Sequence, residues 1–253
     1  NNLTAAGVRF ETGGIFGQSG DAIESDISTL AGQAALGVFV LETSDLTVGS
    51  VSVSTQYLSS DLNMATLSDS ARSGLVTTNS GPIVVELTDG SLTVDQAINA
   101  NGTGNIRLDA LAADRDIFLN QGVSSGSGAI SVLADRHVTQ AAAGDIATVG
   151  GSIDLLARDG SITMTNGALT SSGGGAIRYL AGMDVLLGGI NSGMAATSVT
   201  AVAGSITDNG DDHADIIAAS ARLVAGMGIG GSAMAAHLDV ALGTIAASAG
   251  AGG

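Results

Sequence analysis

The sequence predicts an all-β fold, a parallel β-helix (β-solenoid) of roughly 23 residues per coil and about eleven coils. Three observations predict it. A glycine followed by an aliphatic strand recurs along the chain, with Ile83, Ile106, Ile130, Ile153, Ile177 and, less cleanly, Val199 stepping by 23, 24, 23, 24 and 22. Each unit holds short alternating runs, such as "SIDLLA", "SITMT" and a weaker "ALTSS", which read as strands. The 253 residues include 38 Gly but four Phe, two Tyr and no Trp, so turns are many and the core is thin and aliphatic.

The repeat gives the order of elements. "GPIVVELTDGSLTV" starts at Gly81, "GNIRLDALAADRDIFL" at Gly104 and "GAISVLADRHVTQ" at Gly128. "GSIDLLARDGSITM" follows at Gly151 and "GAIRYLAGMDVLL" at Gly175. Past residue 200 the register loosens, with Ile217 and Leu238 as the expected successors. A unit this short cannot bury its own apolar face, but stacked units can. Coils spaced about 4.8 Å apart then make a rod about 50 Å long. Residues 213–249 are rich in Ala and could read as helix. Gly226, Gly228, Gly230 and Gly231 each weaken a helix by about 1 kcal/mol, so strands are expected there too.

Two further patterns concern organisation. Arg115, Arg136 and Arg158 take the same place in successive units, so they are expected to stack, with Asp114, Asp135 and Asp159 beside them. His137 takes a surface place matching Asp116. "LTAAGVRFETGGIFG" at 3–17 also resembles "IIAASARLVAGMGIGG" at 216–231. The expectation is a single solenoid over 1–253, with one long unit over 1–215 and the start of a second copy over 216–253. The partners expected are tandem copies of the repeat within one long chain, with lateral or end-to-end self-association.

Charge narrows the function. Net charge is −16, from 20 Asp and four Glu against eight Arg and no Lys. Such a surface repels nucleic acid and anionic membranes. The absence of Cys excludes a disulfide scaffold. No run of 18 apolar residues exists, so no membrane insertion is expected. There is no signal-peptide pattern at Asn1, and the chain reads as a section of something larger.

"GSITDNGDDHAD" at 204–215 is the densest acidic stretch. Its reading is a solvated turn, with Asp208, Asp211 and Asp212 as a weak Ca²⁺ alternative. Ca²⁺ needs six to eight oxygens, and the spacing matches neither an EF-hand nor a Ca²⁺-binding β-roll. No catalytic or cofactor-binding residue stands out. The acidic run lacks the Gly-His-Gly and Arg-Ile-Lys pieces of β-helix glycan hydrolases. Thr163 and Thr165 alternate on one strand, but neighbouring coils read "FLN" and "LLG", so no threonine ladder is expected.

The segments "GSIDLLARDGSITMTNGALTSSGG", "DVLLGGI" and "AGSITDNG" resemble the repeat region of filamentous haemagglutinin-like exoproteins, the large adhesins of bacterial two-partner secretion. The resemblance is best over 81–231. It implies a right-handed β-helix rod, a secreted or cell-surface location, an outer-membrane secretion partner and no catalytic residues. The function expected is a rigid structural spacer in a giant adhesin or extracellular filament. A β-helix polysaccharide lyase or hydrolase and a Ca²⁺-dependent extracellular assembly module are the alternatives.

Overall fold

A computed structural model describes residues 1–210, 213–231 and 237–250. Among them there is no helix, and all but two strands join one continuous parallel sheet. The chain winds as a β-solenoid of about ten turns with about 24 residues per turn. The coil in the middle shows the plan. Ile153–Ala157 lies on a first face, Ile162–Met164 on a second and Leu169–Ser171 on a third. Each strand pairs in register with its counterparts in the coils above and below, as Ile153 does with Ile130 and Ile177. On the first and second faces the alternate side chains point inward and are buried, giving the pattern buried–partial–buried that the sequence alternation predicts.

The interior is built in columns. Ile83, Ile106, Ile130, Ile153 and Ile177 stack as expected from their spacing. The next coil departs from expectation. Thr197, not Val199, follows Ile177, and Ala221 and Ile245 follow in turn, rather than Ile217 and Leu238. Thr197 is buried, and its hydroxyl donates to Ser192 Oγ at 2.9 Å, which is how a polar residue occupies an isoleucine column. Val199 instead packs below Tyr179.

A second column explains the glycine that opens each unit. A Cβ on Gly104 would sit 2.3 Å from the carbonyl oxygen of Gly81, one on Gly128 2.1 Å from that of Gly104, and ones on Gly151 and Gly175 2.0 Å from those of Gly128 and Gly151. Backbones at this corner touch, so only glycine fits.

The coil count is near ten rather than eleven because residues 49–74 leave the solenoid. They form an antiparallel hairpin, Ser50–Leu58 with Met64–Ser73, where the next coil has only the turn 95–97 between Leu92–Val94 and Ile98–Ala100. The hairpin climbs the corner between the second and third faces. Val51 packs on Gly7, and Arg9 Nε donates to the Ser70 carbonyl at 2.9 Å. Arg72 pairs with Glu11. Ala31 beneath it is fully buried.

The alike stretches 3–17 and 216–231 each begin with a ten-residue strand, Leu3–Thr12 and Ile216–Ala225. They occupy different faces. Through Ile23–Ala34, the strand Leu3–Thr12 overlies the second and third faces. Ile216–Ala225 runs over the third and first.

Candidate functional site

Ile206–Asp208 forms the second-face strand of its coil, and its register places Asp208 below Leu187 in an inward column that includes Met164 and Gln140. Asp208 is therefore the inward end of a strand, not part of a solvated turn; it is 7% exposed. Among the described residues its Oδ1 has no hydrogen-bond partner, and neither has Asn209 Oδ1. Asn209 N caps the strand by donating to Leu187 O at 3.0 Å, and Gly210 turns the chain with φ of 90°. Asp211 and Asp212 lie outside the described residues. Asp215, fully buried, accepts the amide of Asp239 at 2.6 Å. Among the described residues, no group of three or more His, Cys, Asp or Glu is placed to hold a metal.

Another buried carboxylate shows the contrast. Glu42 is fully buried, and it accepts from Ser25 Oγ at 2.6 Å and from the amides of Ile27, Thr43 and Ser44 at 2.9–3.2 Å. Every lone-pair direction that matters has a donor, so the charge is compensated inside the core. A second interior polar cluster joins Tyr179, Thr170 and Gln140: the tyrosine and threonine hydroxyls lie 2.6 Å apart, and Gln140 Nε2 donates to Leu169 O. Burial pushes the Tyr179 phenol well above its ordinary range. Nothing in the sequence pattern pointed to either cluster, because the first brings Glu42 to residues 15 and 17 positions earlier and the second joins residues 9–39 positions apart.

The arginine ladder differs from expectation. Arg115 pairs with Asp89, Arg136 with Asp116 and Arg158 with Asp135, each across one coil step. Only Asp135 of the three expected acids pairs with an arginine of this series. The corners differ in length, residues 111–116, 135–137 and 158–161, so equivalent arginines do not all fall in one column. Two hydrogen bonds from Arg136, at 2.9 and 2.6 Å, hold the Asp116 carboxyl below the usual carboxylate range. The Gly90 amide and then Arg115 do the same for Asp89. His137 stands level with Asp116 as expected, but the place is not a surface one: Asp116 is buried and His137 is half-buried, with its Nδ1 accepting the Ser161 amide at 3.0 Å. Threonine does ladder in part, against expectation: on the second face Thr29, Thr47 and Thr93 stack directly, as do Thr139 and Thr163, in an outward column that Phe118 and Leu186 interrupt, because the coil before Thr163 reads "VTQ" and not "FLN".

Two hollows remain. One, of about 630 Å³, lies on the first face and is floored by small residues such as Ala176, Ala196 and Ala221, with Asp154 and Arg178 paired at 2.7 Å on its wall. This is a closed ion pair rather than a nucleophile beside a base. The other, of about 380 Å³, opens on the third face between Leu169, Ile190, Ile217 and His213. No family model matches the chain, and no curated protein or solved structure matches it.

Proposed function

We propose that the chain is a rigid structural section of a giant secreted or cell-surface protein of bacteria, an adhesin or extracellular filament, and that it acts as a rod rather than as an enzyme. The observation that carries this reading is the unbroken stack: on every face the strands of one coil pair in register with those of the coils above and below, over an aliphatic interior. The acidic corners keep neighbouring rods apart sideways. The haemagglutinin-like repeat pattern supports the surface location and export through an outer-membrane partner.

An antibody raised to this segment and used on surface and soluble cell fractions separated on a denaturing gel tests the proposal. The expected result is a surface-associated band far larger than the 24.5 kDa of this chain. A soluble band near 24.5 kDa would overturn it.

A further inference from the structure

The corner between the first and second faces changes character along the rod. Through residue 161 it is charged, with Arg115, Arg136 and Arg158 paired to acids. In the next three coils it reads Gly182–Met183, Val202–Ala203 and Gly226–Met227. Backbone contact explains the glycines. A Cβ on Gly182 would lie 2.4 Å from the Arg158 carbonyl oxygen, and one on Gly226 2.3 Å from that of Val202. The large side chains have no such cause. Met183, Val202 and Met227 are 47%, 59% and 54% exposed, in a chain of net charge −16. Methionine is over-used at binding surfaces, and three apolar side chains in line on an acidic rod call for a partner.

The corner carries two adjacent columns. Gly182, Val202 and Gly226 directly follow Ala181, Ala201 and Ala225, which stack in register. Met183, Ala203 and Met227 come next, their amides bonded to the carbonyls of Gly160, Gly182 and Gly204 in the coils before. Size runs small, large, small in the first column and large, small, large in the second. A two-fold axis parallel to the rod, set between the columns, makes each column of one copy face the other column of a second copy at the same level. Every large side chain then meets a small residue: Met183 meets Gly182, Val202 meets Ala203 and Met227 meets Gly226, as close packing requires. Charge agrees with size. One coil earlier the two columns hold Arg158 and Asp159, so each arginine faces the aspartate of the other copy. Among the described residues, Asp159 has no ion pair within its own chain. An axis across the rod would instead set Met183 against Met227 and glycine against glycine, and would leave the charges unmatched. We propose that this corner joins two copies of the chain side by side, parallel and related by a two-fold axis along the rod. The pairing needs only the solenoid, and not the surface location proposed above. Elsewhere the acidic surface keeps copies apart, which confines the contact to this stretch. Four levels span about 14 Å. A ridge that short and two residues wide is well below a standard interface, so the pairing is weak and is best read by covalent trapping.

The chain has no cysteine, so single-cysteine variants report the geometry. Met183→Cys and Met227→Cys proteins are oxidised separately, and then as a mixture in which one carries a size tag. The expected products are disulfide dimers between like chains, formed about fivefold or more faster than those of Val149→Cys, a 77% exposed site on the third–first corner. Within the Met183→Cys chain, Val202→Asp or Asp159→Arg slows dimer formation about tenfold or more, since each brings like charges together at the joint. Both sites are exposed and make no ion pair within the chain, so circular dichroism is expected to show the fold retained. Mixed Met183–Met227 disulfides in excess of like pairs would overturn the proposal in favour of antiparallel rods. Dimers no faster than the Val149→Cys control, or indifferent to Val202→Asp and Asp159→Arg, would overturn it as well. None of these results alters the band sizes by which the rod proposal is judged.

Discussion

At the scale of single residues, the two buried carboxylates behave as opposites. Glu42 has donors on both oxygens, whereas Asp208 Oδ1 has none among the described residues and sits among Leu187 and Met164. An acceptor buried without a donor costs about 1–3 kcal/mol. Asp208→Leu, matching Leu187 one coil earlier, is therefore expected to raise stability by about that amount in thermal unfolding. A loss of stability that appears only when Ca²⁺ is present would instead identify the oxygen as a ligand. The glycine column makes a second residue-level prediction. Gly151→Ala would place a methyl group 2.0 Å from the Gly128 carbonyl oxygen. Two coils must part, and the expected cost is about 1–3 kcal/mol, read as a lowered denaturation midpoint.

At the scale of elements, the strands are uniform and the corners are not. Ladder register survives corners of three, four and six residues between the first and second faces, and an entire hairpin between the second and third. Ion pairs fasten these corners from coil to coil. Asp116 is buried and its carboxyl is held below the ordinary range chiefly by Arg136. A carboxyl with a depressed folded-state pKa stabilises the fold above the ordinary carboxylate range and loses that contribution as pH falls through the folded value. Arg136→Ala lets the Asp116 pKa rise, so the acid-unfolding midpoint followed by circular dichroism is expected to move to higher pH. No movement would show that the pair is solvated and idle.

At the scale of the whole molecule, the sequence was legible wherever one residue type is forced at one place in every coil. Contacting backbones demand glycine at 104, 128, 151 and 175, and the adjoining inward column takes isoleucine, so period and fold could be read directly. Legibility failed where that demand relaxes. The Thr197 coil keeps the fold with a hydrogen-bonded threonine, and aliphatic residues two positions on drew the register to Val199. The hairpin went unseen because "SVSVSTQYL" alternates as any strand would, and only the missing glycine–isoleucine signal before residue 81 hints that something other than a coil stands there. The arginine partners were misplaced because corner length, unlike strand register, varies freely. Asp208 was assigned to a turn because a carboxylate in an aliphatic column runs against the usual burial rule.

One consequence of the stacked ladders is mechanical. In the solenoid body every coil is held chiefly by the coil above and the coil below, about 24 residues away along the chain, with side chains such as Arg158, bonded to the Leu111 carbonyl, and Asn209, bonded to that of Met164, reaching two coils away. Tension applied along such a rod works on one boundary at a time. When an end coil peels away, it uncovers another intact edge of the same kind, and the rest of the stack keeps its shape. If the chain serves as the rod proposed above, it yields by releasing length in small portions, so the load along it rises in steps rather than all at once.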